Sequence, residues 1–190
     1  MSSCDLCGAD TADVLLTNTI RRSLGASDFS VCGELYEHPR IVRCRVCSLV
    51  YANPRDAIGS LHAKYEALEP DAYLAEDASR RATFHRIVRK LQRHIGGGRV
   101  LDVGCSAGLF LEALPPCYEG YGLEPSVHAA QVAQRRLGSR VRGGSLRDAT
   151  FDEGMFDLVT MWDVLEHLES PRQALATTHR WTRPGGWLAL

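Results

Sequence analysis

Val100-Leu101-Asp102-Val103-Gly104-Cys105-Ser106-Ala107-Gly108 is the stretch on which the fold turns. An apolar run rich in β-branched residues passes into a short Gly/Ser loop, and Leu109-Phe110-Leu111-Glu112-Ala113-Leu114 follows with helical character. The pattern predicts a buried parallel strand turning onto a helix N-terminus. Free amides at such a turn attract anionic groups, which is how a nucleotide-binding strand-loop-helix works. The acidic Glu124 stands sixteen residues beyond Gly108.

From Gly98 onward the chain alternates strand and helix. Strands are expected at Val100 to Val103, Tyr118 to Leu123, around Val141, at Phe156 to Trp162 and at Trp187 to Leu190. Helices are expected at Leu109 to Leu114, Val127 to Leu137 and Pro171 to Trp181. Repeated alternation of this kind predicts an α/β fold, a doubly wound and mostly parallel sheet with right-handed crossovers. Upstream, Phe84, Ile87, Val88, Leu91 and Ile95 share one face of a helix closed by Gly96-Gly97-Gly98. Earlier still, Ile58, Leu61, Tyr65 and Leu68 keep helical spacing before Glu69-Pro70-Asp71. The expected division is a small module over 1–55, a helical connector over 56–95 and the sheet domain over 96–190.

Composition sets the class. With 45% apolar and 24% charged residues the chain is ordinary for a soluble globular protein. A formal charge of -1 argues against a generally basic nucleic-acid surface. Arg80, Arg81, Arg86, Arg89, Lys90 and Arg93 nonetheless follow one another on the second helix without an intervening acid, so an RNA-facing surface stands beside an ordinary solvated face. No apolar run approaches the length of a bilayer span and the N-terminus does not read as a signal peptide, so the expected compartment is the cytoplasm.

Four of the seven cysteines form matched pairs, Cys4-Asp5-Leu6-Cys7 and Cys44-Arg45-Val46-Cys47, with thirty-six residues between them. Cys-x2-Cys spacing lets two thiolates bind one face of a tetrahedral zinc ion, and two such pairs close the site. A closed site is structural, so a zinc-stapled β module is expected. Cys32, Cys105 and Cys117 have no such partners and read as buried small hydrophobes.

In a doubly wound sheet, ligands bind beyond the carboxyl ends of the strands. Glu124 is placed to accept hydrogen bonds from vicinal ribose hydroxyls, which alone would suit NAD. Asp102 decides otherwise, because a carboxylate there would repel a pyrophosphate in a poorly hydrated crevice. It suits a ligand with a cationic end, and S-adenosylmethionine carries an ammonium and a sulfonium beside its ribose.

At these residues the chain resembles the class I S-adenosylmethionine-dependent methyltransferases, whose fold is a Rossmann-like sheet. Leu101 to Gly108 looks like the first motif of that family, Gly122-Leu123-Glu124-Pro125-Ser126 like its ribose motif, and Phe156 to Leu168 like its fourth. Ser106 stands where a middle glycine is common. The resemblance implies that Asp102, Gly104, Cys105, Ser106 and Gly108 line the methionyl part of the cofactor. It places Glu124, with Pro125 and Ser126, at the ribose. Ser145 and Leu146 would lie at the adenine edge, and Trp162 and Asp163 on the floor near the sulfonium. A cysteine-pair module ahead of such a domain is similar to zinc-knuckle methyltransferases that include sugar and natural-product C-methyltransferases. The implied acceptor is therefore a small molecule.

His167, following the fourth sheet strand with an intrinsic pKa near neutrality, is the candidate general base, with a structural role as the alternative. Three further readings compete. One is an RNA methyltransferase. Another is a non-catalytic protein that binds RNA or a protein partner through the cysteine module. The third is an α/β-hydrolase, since Gly104-Cys105-Ser106-Ala107-Gly108 also fits G-x-S-x-G with Ser106 as nucleophile, although a hydrolase needs several strands ahead of that elbow. The family ordinarily has seven strands, so a sequence stopping at Leu190 within the fifth reads as a C-terminally truncated sheet with an apolar edge prone to association.

Overall fold

The computed structural model describes residues 2–20, 38–54 and 77–190. Cys32 and the helix expected over 56–68 lie outside the described residues. The chain divides into two compact units, Met1–Leu68 with Leu168–Arg172, and Glu69–His167 with Gln173–Leu190.

The first unit contains a three-stranded antiparallel sheet in the order β1-β2-β3, built from Ala12–Leu16 (β1), Ile41–Cys44 (β2) and Val50–Ala52 (β3). Each Cys-x2-Cys pair forms the same tight turn. Gly8 N–H donates to the Cys4 carbonyl at 2.8 Å and Ser48 N–H to the Cys44 carbonyl at 3.0 Å. Cys4 and Cys44 each donate in turn, to Ala9 and Leu49, at 2.9 Å. Gly8 and Ser48 adopt φ of 77° and 65°, left-handed values that bring the chain back after each second cysteine. Asn53, buried at the end of β3, ties down the N-terminus by exchanging two 3.0 Å hydrogen bonds with the Ser2 backbone.

The second unit is the α/β domain. Its elements are α1 (Asp77–Leu91), β4 (Gly98–Val103), α2 (Leu109–Glu112), β5 (Tyr118–Glu124), α3 (Val127–Leu137), β6 (Val141–Gly143), β7 (Phe156–Thr160), α4 (Pro171–Trp181) and β8 (Thr182–Ala189). Among the described residues the sheet has five strands in the order β6-β5-β4-β7-β8, every neighbouring pair parallel. β4 lies at the centre. It is the first strand of the sheet in the chain, and its neighbours β5 and β7 come from opposite halves of the domain, so a switch point opens beyond its carboxyl end.

The core explains the sequence pattern. Val100, Leu101, Phe156, Leu158 and Val159 are fully buried because β4 and β7 have neighbours on both edges and helices over the sheet. α1 turns Phe84 and Val88 inward, and Phe84 meets Phe110 of α2 edge to face at 5.6 Å. Gly120 and Gly122 of β5 let α2 settle closely: a Cβ on Gly122 would lie 2.7 Å from Cys105 Sγ and 3.2 Å from Leu111 Cδ1.

Several boundaries differ from those expected. α1 ends at Leu91, and a looser turn carries the chain to Ile95, whose carbonyl accepts the Tyr118 hydroxyl. α2 stops at Glu112 because Leu114 precedes Pro115, which disfavours helical backbone there. β7 ends at Thr160, and the chain reverses through Asp163 at φ 54° into a 3-10 turn over Leu165–His167. β8 starts at Thr182, five residues early, with an irregularity in its pairing between Thr182 and Trp187. Arg183 turns back there onto Asp157 of β7. Cys117 departs from its expected burial. It is exposed, because the Pro115-Pro116 turn uses its carbonyl to receive Gly98 N–H and leaves the thiol outside. Among the described residues no helix is long and apolar enough to cross a membrane.

Candidate functional site

The residues that the sequence assigns to the cofactor lie at or follow the carboxyl ends of β4, β5, β6 and β7. Asp102 is only 2% exposed, and its Oδ1 accepts the Thr160 hydroxyl at 2.7 Å. Register makes this contact, since Asp102 and Thr160 are paired across β4 and β7. Burial pushes the Asp102 carboxyl up to about 7, the Thr160 hydrogen bond opposes it, and the nearby Glu124 charge adds to it.

Glu124, 7% exposed, braces the loop. Its Oε2 accepts Ser106 N–H and its Oε1 accepts Ser126 N–H, both at 2.8 Å. Burial raises its pKa and these two amides oppose the rise. Each carboxylate oxygen has two lone pairs, so each keeps one for a further donor. The loop between these acids is held in shape by left-handed backbone at Gly104 (φ 72°), Ser106 (φ 46°) and Gly108 (φ 84°). Ser106 therefore adopts the conformation in which glycine is common. Ser126 caps α3, its hydroxyl accepting Ala129 N–H at 3.3 Å, and Pro125 lies between it and Glu124.

Other predicted residues have more particular placements. The Cys105 side chain is buried in the core beside Gly122, where burial raises its thiol pKa, so only its backbone faces the loop. Ser145 closes a turn, its hydroxyl donating to Asp148 Oδ2 at 2.6 Å, with Leu146 half-buried beside it. Trp162 sets its indole edge to face on Phe110 at 5.5 Å, and its Nε1 is buried without a hydrogen-bond partner. Asp163 is exposed at the reversal, and His167 is half-buried, its backbone N–H donating to the Val164 carbonyl at 3.0 Å. Val164 presses on the loop: a Cβ on Gly104 would lie 2.5 Å from Val164 Cγ2.

Thr160, Asp148 and Val164 escaped the sequence reading. Thr160 had left a signal, a hydroxyl in the otherwise apolar Leu158-Val159-Thr160-Met161 run, whose partner becomes visible only with the register of β4 against β7.

In the first unit the four expected cysteines come together. Cys4 and Cys47 Sγ lie 3.5 Å apart, as do Cys7 and Cys44, and all four sulfurs fall within 4.8 Å of one another. Disulfide sulfurs lie at about 2.05 Å. Four sulfurs around a zinc ion at about 2.3 Å make a tetrahedron with edges of about 3.8 Å, the scale seen here. The donor set fits a soft divalent ion with no open position.

Comparison with known proteins matches this geometry. The Methyltransferase domain family matches residues 73–190, more than half of the chain. An uncharacterized methyltransferase of Schizosaccharomyces pombe is 31% identical over 139 residues, covering 65% of this chain and 50% of that protein. The O-methyltransferase rstn1 of Aspergillus nomiae is 26% identical over 156 residues, covering 70% and 69%. A ubiquinone biosynthesis O-methyltransferase of Thiobacillus denitrificans is 31% identical over 101 residues, covering 50% and 44%. The chain thus spans about half the length of most of these relatives. Among solved structures, a SAM-dependent methyltransferase of Leishmania major superposes with a TM-score of 0.55 at 19% identity, covering 68% of this chain and 58% of that one. The hydrolase reading gives way, both to the family match and to the position of Ser106 after the first strand of the sheet among the described residues rather than after several. With β4, its loop and the acid of β5 arranged in this way, the chain belongs to the methyltransferase domain family.

Proposed function

We propose that this chain binds S-adenosylmethionine and transfers its methyl group to a small molecule, with a sugar or natural-product intermediate as the finer assignment. The carrying observation is the pair of buried carboxylates, Asp102 and Glu124, on either side of one left-handed loop. Glu124 is oriented in advance by two backbone amides and offers its free lone pairs to the ribose diol. Asp102 supplies negative charge for a cationic methionyl end. Ser145 and Asp148 form the polar edge for the adenine, and the relatives named for O-methylation and for ubiquinone biosynthesis support a small-molecule acceptor.

When bound, S-adenosylmethionine supplies an electrophilic methyl on a sulfonium. What the chain contributes is orientation, worth up to about 7 to 11 kcal/mol in well-aligned systems. His167 is the proposed base for the acceptor's proton. Cys4, Cys7, Cys44 and Cys47 are the proposed ligands of a structural zinc ion. Cysteine pairs at metal-ligand spacing rather than in a disulfide framework support a cytoplasmic location, which is part of the proposal.

Calorimetry with S-adenosylmethionine and with NAD tests the donor assignment. Binding of the first and not of the second is expected, and Glu124→Gln should weaken it by about tenfold or more. A folded protein that binds NAD, or does not bind S-adenosylmethionine, overturns it.

A further inference from the structure

The sequence reading treats Trp162 as a floor, a surface to lie against. The structure gives its indole a second property. Nε1–H is buried and has no acceptor, in a domain where Asp102, Glu124, Ser126, Thr160 and Thr178 all find partners. A buried donor without a partner gives up its hydration uncompensated, and an acceptor supplied by a ligand would restore the lost hydrogen bond.

Placement narrows what arrives. Trp162 directly follows Met161 at the end of β7, and two residues later Val164 presses on Gly104 of the donor loop. The indole packs on Phe110, two residues beyond Gly108 at the other end of that loop. The Trp162 ring thus packs just beyond one end of the Gly104–Gly108 turn, and Val164, two residues along the chain, packs against the other end, in the turn to which the family resemblance assigns the methionyl part. That part of the ligand is zwitterionic. Asp102 and Glu124 complement its ammonium and ribose, and neither carboxylate can serve its carboxylate group. That group needs donors, and an indole can only donate.

We infer that the Trp162 indole N–H donates to the carboxylate of the bound methyl donor, making Trp162 a specificity residue for the intact amino-acid tail. This rests on the proposed function, and the ring keeps its packing role whether or not the hydrogen bond forms. Recognition then depends on one dipole fixed by aromatic packing. A hydrogen bond to a charged group is worth tenfold or more in affinity.

Decarboxylated S-adenosylmethionine isolates the contact, because it keeps the ammonium, sulfonium, ribose and adenine and lacks only the carboxylate. Calorimetry should show wild-type protein preferring the intact donor, and Trp162→Phe losing about tenfold for that ligand while changing by less than about twofold for the decarboxylated one. Equal losses for both ligands, or no loss for either, overturn the inference. The indole proton resonance of Trp162, identified by its disappearance in Trp162→Phe, provides a readout in unmodified protein. It should move downfield with the intact donor and not with the decarboxylated one, and identical shifts overturn the inference. Wild-type protein that binds neither ligand overturns the donor assignment itself, a result distinct from both.

Discussion

Thr160 donates its hydroxyl to Asp102 Oδ1 at 2.7 Å from the neighbouring strand, and both residues are almost wholly removed from water. The pair joins the two strands that flank the switch point and gives a buried acid its side-chain donor. Thr160→Val keeps the shape and removes the donor, leaving Asp102 with an unmet acceptor. The expected cost is about 1–3 kcal/mol of stability, read as a lower denaturant midpoint with an unchanged m-value. Weaker binding of S-adenosylmethionine should accompany it.

Asp102 also sets a pH dependence. Its folded pKa stands at about 7, against about 4 in an unfolded chain, so between those values the folded state keeps a proton that the unfolded state has lost. Stability from this group is fully present below about pH 4 and is lost as pH rises through about 7. Asp102→Asn should therefore melt higher than wild type at pH 8, with the advantage vanishing near pH 4. Ligand binding runs the other way, because a cationic ligand prefers the ionised carboxylate. Affinity for S-adenosylmethionine should rise from pH 6 to pH 8, with proton release visible as a buffer-dependent enthalpy. A flat profile in wild type would remove Asp102 from the cationic subsite.

Strand identity was legible because buried parallel strands advertise themselves as apolar runs such as Leu158-Val159, and the helices because α3 and α4 carry clear 3.6-residue periodicity. The cysteine cluster was equally legible, since ligand spacing within a tight turn is a local property. What stayed hidden depends on register and on side chains meeting across elements. Thr160 under Asp102, Val164 against Gly104 and the indole of Trp162 on Phe110 are such cases. The early start of β8 was missed because Pro184-Gly185-Gly186 reads as a turn, whereas here it lies within the strand as an irregularity.

Gly108 combines φ of 84° with a Cβ position 2.7 Å from Leu137 Cδ1. Gly108→Ala pays for the left-handed backbone and displaces Leu137 on α3, so a loss of about 1–3 kcal/mol and a melting point lower by about 3–8 °C are expected. Gly143→Ala, whose nearest neighbour would be Ala130 Cβ at 3.8 Å, should shift melting by no more than about 1 °C. Similar shifts for the two variants would deny the loop its special conformation.

Metal analysis of protein purified without chelator should give one zinc ion per chain. Cobalt substitution should produce the intense visible bands of a tetrahedral thiolate site, and Cys44→Ser should abolish both. Because a small module held by metal couples binding to folding, chelation should collapse the amide dispersion of residues 2–20 and 38–54. Retention of that dispersion at zero metal would show that the antiparallel sheet stands without its staple.

His167 follows the reversal at Asp163, in a turn whose backbone is closed by the hydrogen bond from His167 N–H to the Val164 carbonyl. That bond belongs to the main chain, so His167→Ala and His167→Gln should both preserve the turn and leave the affinity for S-adenosylmethionine within about twofold of wild type. If the imidazole takes the acceptor's proton, turnover with an acceptor found by screening should fall by about 10²–10⁴ in both variants. Any acidic limb of the wild-type rate profile that belongs to this proton transfer should vanish with it. A structural histidine behaves differently: melting drops in His167→Ala, Gln restores it, and the surviving rate keeps its acidic limb. The pH profile therefore separates the two roles even where both variants lose activity.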